Sequence, residues 1–102
     1  MNDSINLVMQ TAKRIFFVGI GGISMSSLAF VCLERGYDVR GSDRVRSPMT
    51  ERLERAGIPV VYEHRADNIG GCDAVVYTGA VSMENPELAA AAAQGIPAIY
   101  RA

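Results

Sequence analysis

The stretch that decides the fold is Arg14-Ile-Phe-Phe-Val-Gly-Ile-Gly-Gly-Ile-Ser24. Its first half is apolar and β-favouring as far as Val18, and glycines follow at once at Gly19, Gly21 and Gly22. The residues after it are small and tolerate a helix, so the pattern predicts a buried strand, a tight turn and a helix. Backbone N–H groups and the helix dipole at such a helix start form an anion site without a charged side chain. The stretch therefore predicts a turn that holds the diphosphate of a nucleotide-linked ligand.

The glycine spacing within this stretch is a variant of the dinucleotide-binding fingerprint. Gly19-x-Gly21-x-x-Ser24 carries Ser where the fingerprint has its third glycine. Gly19 permits the turn, Gly21 lets a phosphate approach the backbone, and the Ser24 hydroxyl can donate a hydrogen bond. With Gly22 and Ile23 these residues form the predicted diphosphate turn. A tight turn that serves packing alone is the alternative.

Composition places the chain in an ordinary globular class. Its 102 residues are 49% apolar and 21% charged, with a net charge of −1, which indicates one domain and argues against binding to nucleic acid or an anionic membrane surface. Cys32 and Cys72 are too few for a disulfide framework and favour a reducing compartment. No apolar run approaches the roughly 20 residues of a membrane span, and the N-terminus lacks the basic start of a signal peptide. We expect a cytoplasmic location.

Strands and helices alternate along the rest of the chain. The predicted fold is α/β: a Rossmann-like, doubly wound parallel sheet of about five strands in a single domain over residues 14–102, after a lead-in at 1–13 without assigned function. In such a sheet the ligand crevice lies beyond the carboxyl ends of the strands. The predicted strands are 14–20, 37–43, 59–62, 73–77 and 96–100. The predicted helices are 22–35, 47–57 and 85–94, with a loop at 64–71.

Polar residues at the strand ends complete the predicted site. Asp43 ends the second strand, where nucleotide-binding folds often place an acid that binds a ribose hydroxyl, although a turn or capping role is the alternative. Ser42 can reach the same ligand edge. His64, the only histidine, follows the third strand and is a candidate ligand contact. Thr78, Gly79 and Ala80 follow the fourth strand and are expected to line the same crevice.

Other chemistry finds little support in the sequence. No carboxylate–histidine–nucleophile pattern surrounds His64, which argues against general-base catalysis by it, and no catalytic residue is predicted. Two cysteines and one histidine lack metal-site spacing. The segment Gly36-Tyr-Asp-Val-Arg-Gly41 has the glycine spacing of a triphosphate loop, but Ser42-Asp43 stands where Lys and Ser or Thr are needed. ATP chemistry is therefore not predicted for these residues.

Several separated motifs, taken together, resemble the N-terminal domain of the Mur ligases. The resemblance covers about residues 14–102. Its strongest parts are Phe17-Val-Gly-Ile-Gly-Gly-Ile-Ser-Met-Ser26 and Gly41-Ser-Asp43. Its other parts are Thr50-Glu-Arg-Leu53, the His64 loop with Asp67-Asn68-Ile69, Ala80-Val81 with Asn85-Pro86, and Gly95-Ile-Pro97 with Arg101-Ala102. Ser24 departs from the glycine usual in the family, and its Cβ is expected to limit the approach of helix and strand.

The resemblance implies a role in peptidoglycan biosynthesis. It implies that this chain is the UDP-N-acetylmuramic acid-binding domain of a longer ligase, inactive by itself. Other domains of that ligase would bind ATP, magnesium and L-alanine, and an acyl phosphate would be attacked by the alanine amine. The implied substrate-binding residues are Gly19, Gly21, Gly22, Ile23, Ser24, Ser42, Asp43, His64, Thr78, Gly79 and Ala80. The alternatives are the related ligase that recycles murein tripeptide, a non-catalytic NAD(H)-sensing Rossmann module, and a packing domain with a vestigial pocket.

Overall fold

The computed structural model describes residues 11–101, so most of the predicted lead-in lies outside the described residues. The secondary structure alternates as the sequence predicts, with an added 3-10 helix. The strands are β1 (Arg14–Val18), β2 (Asp38–Ser42), β3 (Val60–Val61), β4 (Ala74–Tyr77) and β5 (Ala98–Tyr100). The helices are α1 (Ile23–Glu34), α2 (Pro48–Arg55) and α3 (Pro86–Gln94), and the 3-10 helix spans Ala66–Ile69.

The five strands form one parallel sheet in the order β3-β2-β1-β4-β5. This arrangement confirms the predicted Rossmann-like fold. The chain first builds outward from β1 through β2 to β3, then returns to place β4 on the other side of β1. Strand order therefore reverses between β1 and β4, and a crevice opens beyond the carboxyl ends of these two strands, where doubly wound folds bind their ligands.

Apolar residues of β1 alternate between two cores, which explains why the strand is apolar throughout. Ile15 and Phe17 face a core shared with α1 and α2. Phe16 and Val18 face a second core shared with α3 and the 3-10 helix. All four side chains are buried, and each stabilises the fold by about 1.5–3 kcal/mol. Helices on both faces leave the strand ends as the open edge of the sheet.

Local sequence signals set the starts and stops of two helices. The Ser47 side chain accepts from the backbone N–H of Thr50, and the Thr50 hydroxyl accepts from the backbone N–H of Ser47, which forms a capping box before α2. The Asn85 side chain accepts from the backbone N–H of Glu87 at the start of α3. Gly95 ends that helix with a φ of 70°. These contacts satisfy backbone groups at the helix ends that have no partner within the helix.

Most elements are one or two residues shorter at an end than the sequence predicts, and the structure explains two of the differences. β1 ends at Val18 rather than at position 20, because the N–H groups of Gly19 and Ile20 turn to donate to the Ser42 carbonyl, each over 2.9 Å. The predicted loop at 64–71 contains the 3-10 helix, whose Ile69 is buried in the second core. Between residues 11 and 101, no helix is long and apolar enough to cross a membrane.

Candidate functional site

A cleft of about 640 Å³ opens at the carboxyl ends of the strands, between the start of α1 and the segment that joins β4 to α3. Its volume lies in the range of small-molecule sites. Most of the predicted site residues line it: Gly19, Gly22, Ile23, Ser24, Asp43, His64, Thr78 and Ala80. It is also lined by Arg44 and Val81, which belong to the strand-end segments that the sequence predicts at the crevice. The sequence had not placed five further lining residues there: Met25, Ser82, Glu84, Asn85 and Pro86.

The glycine turn forms the floor of this cleft and is held to the end of β2. Gly19 has a φ of 75°, a conformation in which L side chains are strained. The N–H groups of Gly19 and Ile20 both donate to the Ser42 carbonyl, and the N–H of Gly21 donates to Asp43 Oδ2 over 2.8 Å. The turn is therefore set in place before any ligand binds.

The start of α1 faces the cleft without a side-chain cap. The N-cap residue is Gly22, no side chain caps the helix, and its first turn holds no acidic residue. The first N–H groups of a helix have no partner within it, so those of Ile23, Ser24 and Met25 remain available to an anion. All three residues line the cleft. This arrangement has the donors and the dipole of an anion site.

Asp43 lies at the cleft, but its carboxylate already has two backbone partners. Besides the bond from Gly21, Asp43 Oδ1 accepts from the N–H of Val45 over 3.1 Å. A carboxylate has about four lone-pair positions, so two remain for a ligand. The structure thus assigns Asp43 a role in holding the turn, and its contact with a ribose stays a prediction.

Three other predicted residues take positions that the sequence did not specify. Ser42 is fully buried and does not line the cleft. Gly79 does not line it either, and an added Cβ there would lie 3.1 Å from the Tyr100 hydroxyl oxygen. Ser24 is exposed and accepts from Arg101 Nε over 3.2 Å, so it does not stand between helix and strand as expected. Ser26 is the buried serine of this helix.

A buried polar cluster lies behind the cleft, centred on the carboxylate of Glu87. This side chain is 0% exposed. Ser42 Oγ donates to Glu87 Oε1 over 2.9 Å, and Asn68 Nδ2 donates to Glu87 Oε2 over 2.7 Å. His64 Nδ1 lies 2.8 Å from Glu87 Oε1 and 3.0 Å from Ser42 Oγ. A buried carboxylate needs such partners, and here every oxygen has one.

Sequence spacing does not indicate this cluster, because Asn85-Pro86-Glu87 has the ordinary pattern of a helix start. An acid in the first turn of a helix is ordinarily exposed and favoured by the helix dipole. Glu87 also has this helical position, but its side chain turns into the protein. The spacing of Glu87 from Ser42 and His64 carries no local signal.

The cluster does not form a Ser-His-acid catalytic triad. In a triad the serine and the acid contact opposite ring nitrogens of the histidine: one nitrogen takes the serine proton, while the other donates to the acid that orients the ring. Here Ser42 and Glu87 both contact Nδ1 of His64, and Ser42 is buried away from the cleft. Serine nucleophile chemistry is therefore excluded for this arrangement.

Charged residues around the cleft are few. Arg44 lines the cleft and is exposed, and it forms no ion pair within residues 11–101. Arg46 instead pairs with Glu54 over 3.3 Å and stacks on the ring of Tyr62. In the part of the chain that the structure describes, no group of three or more His, Cys, Asp or Glu residues is arranged to hold a metal ion. Arg44 is thus the cation best placed for an anionic ligand.

Comparison with known proteins relates this site to one family. The family model described as the catalytic domain of the Mur ligase family matches residues 14–102. The chain is 51% identical over its whole length to the UDP-N-acetylmuramate–L-alanine ligase of Jannaschia sp. (strain CCS1), and covers 22% of that protein.

Two solved structures share the fold over 86% of this chain. One is a UDP-N-acetylmuramate–alanine ligase from Thermotoga maritima, with a TM-score of 0.83, 41% identity and 20% of that chain covered. The other is a UDP-N-acetylmuramate:L-alanyl-gamma-D-glutamyl-meso-diaminopimelate ligase from Neisseria meningitides, with a TM-score of 0.78, 31% identity and 28% of that chain covered. The chain spans about a fifth of the length of the curated relatives it matches. With a matching family model over nearly its whole length, the chain belongs to the Mur ligase family.

Proposed function

We propose that this chain binds UDP-N-acetylmuramic acid in the cleft, as the N-terminal domain of an ATP-dependent ligase that joins L-alanine to that substrate in peptidoglycan biosynthesis. The observation that carries the proposal is the uncapped first turn of α1, which opens into a cleft of about 640 Å³ at the point where strand order reverses. The relatives named above are ligases of UDP-N-acetylmuramate, a substrate with a diphosphate.

The ligand's parts are assigned by the chemistry of the cleft. The diphosphate lies at the N–H groups of Ile23 and Ser24, because these donors and the helix dipole favour negative charge. Arg44 adds a cation at the same wall. Thr78 and Ala80 form part of the wall on the β4 side. The sugar then extends out of the cleft toward whatever part of the ligase carries the chemistry.

The described residues do not fit ATP or magnesium. The glycine pair at Gly36 and Gly41 lacks the lysine of a triphosphate loop, and Ser42, which follows it, is buried and bonded to Glu87. No metal-binding group of side chains occurs between residues 11 and 101. Our proposal assigns ATP and magnesium to other parts of the full-length ligase and assigns substrate binding to this domain.

Two of the three alternatives from the sequence concern other ligands or reactions. The name of the Neisseria ligase also contains UDP-N-acetylmuramate, so a tripeptide-recycling ligase would bind the same UDP-sugar in this cleft. Among the solved structures, the 41% identity to the L-alanine ligase of Thermotoga maritima against 31% to the Neisseria enzyme favours L-alanine. An NAD(H) module would use the acid at the end of β2 for the ribose. Asp43 keeps acceptor positions for a ribose in either case, and the Mur ligase family model that matches residues 14–102 is what favours the ligase.

A thermal-shift comparison of nucleotides tests the proposal. UDP-N-acetylmuramic acid at 100 times its dissociation constant adds about 2.7 kcal/mol of stability, which raises the Tm of a domain of this size by several degrees. NADH at the same concentration is the matched control and should leave the Tm unchanged. Stabilisation by NADH but not by the UDP-sugar would overturn the proposal. No shift with either ligand would also overturn the proposal that this chain binds the UDP-sugar.

A further inference from the structure

The Glu87 cluster has no part in the assignment of the diphosphate, yet it reaches the cleft through His64. The His64 side chain is 18% exposed and lines the cleft. Its Nδ1 faces inward to Glu87 and Ser42. Since the two ring nitrogens lie on different edges of the imidazole, Nε2 is the nitrogen left for the cleft side.

The hydrogen-bond network determines which nitrogen of the neutral ring carries the proton. Ser42 and Asn68 both donate to the Glu87 carboxylate, so that carboxylate acts as an acceptor. An unprotonated Nδ1 would place two acceptors 2.8 Å apart, which is repulsive. Nδ1 must therefore carry the proton and donate it to Glu87 Oε1, and the lone pair lies on Nε2.

We propose that Glu87 is a positioning residue that holds His64 as the Nδ1–H tautomer and so presents Nε2 to the ligand as a hydrogen-bond acceptor. The proposal rests on the proposed function for the identity of the ligand. It also places the diphosphate at the start of α1 and a different part of the ligand at His64. An ionised diphosphate has only acceptors, so it cannot bind Nε2 of the neutral ring. The partner of Nε2 is a hydroxyl or N–H donor of the nucleoside or the sugar.

Two features allow the buried Glu87 carboxylate to hold the His64 ring: its helix position and its contact with Asn68. It lies in the first turn of α3, where the helix dipole favours a negative charge. Asn68 is itself held by a second bond from Nδ2 to the Glu63 carbonyl over 2.8 Å. The carboxylate is thus oriented from the side opposite His64, which limits rotation of both side chains.

Nuclear magnetic resonance of the imidazole tests the tautomer directly, because His64 is the only histidine in the chain. Two-bond ¹H–¹⁵N spectra at alkaline pH should show a protonated Nδ1 and an unprotonated Nε2. In Glu87→Met the proton should redistribute toward Nε2. Asn68→Ala, which leaves Glu87 Oε1 in place, is the matched control and should keep the wild-type tautomer. A neutral wild-type ring protonated at Nε2 would overturn the positioning role, and this result does not depend on whether Glu87→Met folds.

Binding measurements test the ligand contact separately. His64→Phe should weaken UDP-N-acetylmuramic acid by about tenfold, the equivalent of one lost hydrogen bond of about 1.4 kcal/mol. It should leave the affinity of inorganic pyrophosphate unchanged. An equal loss with UDP places the donor on the nucleoside, and a loss with the UDP-sugar alone places it on the sugar.

Each result bears on one of the two proposals. Unchanged affinity of His64→Phe for both nucleotides would overturn the contact. If the wild-type protein binds no UDP-sugar, the proposed function fails and the ligand contact fails with it. The tautomer spectrum then still decides the role of Glu87 by itself.

Discussion

The backbone N–H of Gly21 donates to Asp43 Oδ2 over 2.8 Å, and a Cβ added to Gly21 would lie 2.7 Å from that same oxygen. Gly21 does not have the positive φ of Gly19, so backbone conformation does not demand a glycine there. The demand comes from the close approach of the turn to the end of β2. A contact between two chain segments therefore explains one glycine of the fingerprint.

Gly21→Val should reduce the affinity for UDP-N-acetylmuramic acid by at least about tenfold while the fold survives. The added side chain meets the Asp43 carboxylate and Thr50 Cγ2, which are side-chain atoms that can move. Their displacement breaks the charge-assisted hydrogen bond from the Gly21 N–H to Asp43, and such bonds typically contribute about 1.5–3 kcal/mol. The turn that faces the ligand then loses the contact that holds it in position. Titration calorimetry measures the affinity, and circular dichroism reports the fold.

Gly70→Ala is the matched control for that variant. An added Cβ at Gly70 would make only an ordinary contact of 3.4 Å with the Asp67 carbonyl, at a φ that alanine adopts. Its affinity and stability should match the wild type. If Gly21→Val binds as tightly as the wild type, the turn is not the phosphate site.

A double-mutant cycle should reveal energetic coupling between Gly21 and Asp43. Gly21→Ala should destabilise the wild type more than it destabilises Asp43→Ala, because without the carboxylate the Cβ no longer meets Oδ2. Contacting residues typically show interaction energies of about 0.5–3 kcal/mol. Urea unfolding of the wild type, the two single variants and the double variant measures this interaction energy. Additive effects within error would mean that the contact contributes nothing to stability.

Gly41→Ala should destabilise the domain far more than Gly21→Ala. A Cβ on Gly41 would lie 2.6 Å from Ile20 Cδ1 and 2.8 Å from the Phe17 carbonyl oxygen, which is backbone in the central strand. Overpacking of this kind typically costs about 1–3 kcal/mol, and here the strand cannot yield without breaking its ladder. Thermal unfolding of both variants measures the order. An equal or smaller loss in Gly41→Ala contradicts the explanation.

Protonation of Asp73 should make the domain less stable at acidic pH. Its Oδ2 accepts from the N–H groups of Arg14 and Lys13, each over 2.9 Å, and these backbone bonds hold the pKa of the carboxyl below its ordinary value of 3.8. A carboxyl whose pKa is lower in the folded state adds stability above its unfolded pKa, and that stability is lost as pH falls through the folded pKa.

Asp73→Asn tests this linkage. The variant should be less stable than the wild type at neutral pH, and the difference should shrink as pH falls below the ordinary value of 3.8. The reason is that a protonated Asp73 resembles asparagine. Denaturant unfolding from neutral to strongly acidic pH gives the profile. A stability difference that stays constant with pH would contradict the proposed role of these backbone bonds.

Local patterns were sufficient to predict the order of elements. The apolar run of β1, its terminal glycines and the capping residues Ser47 and Asn85 act within a few positions of one another, so sequence spacing reports them well. Parallel pairing followed because short apolar strands that alternate with helices have few other solutions. The predicted boundaries were less accurate. β1 ends at Val18 instead of position 20, because the next two backbone N–H groups donate to the Ser42 carbonyl of β2.

The sequence by itself determined the class of this protein: a strand–glycine turn–helix start, a doubly wound sheet and the motif order of the Mur ligases. Only the tertiary structure decided what the polar residues near the cleft do. In it, Asp43 accepts a hydrogen bond from Gly21, Ser42 is buried away from the cleft, and the buried Glu87 contacts His64. The physical reason is that these contacts join residues 22, 45 and 23 positions apart in the chain. A hydrogen bond depends on the distance and direction that folding creates between such segments, and neither is encoded in local spacing.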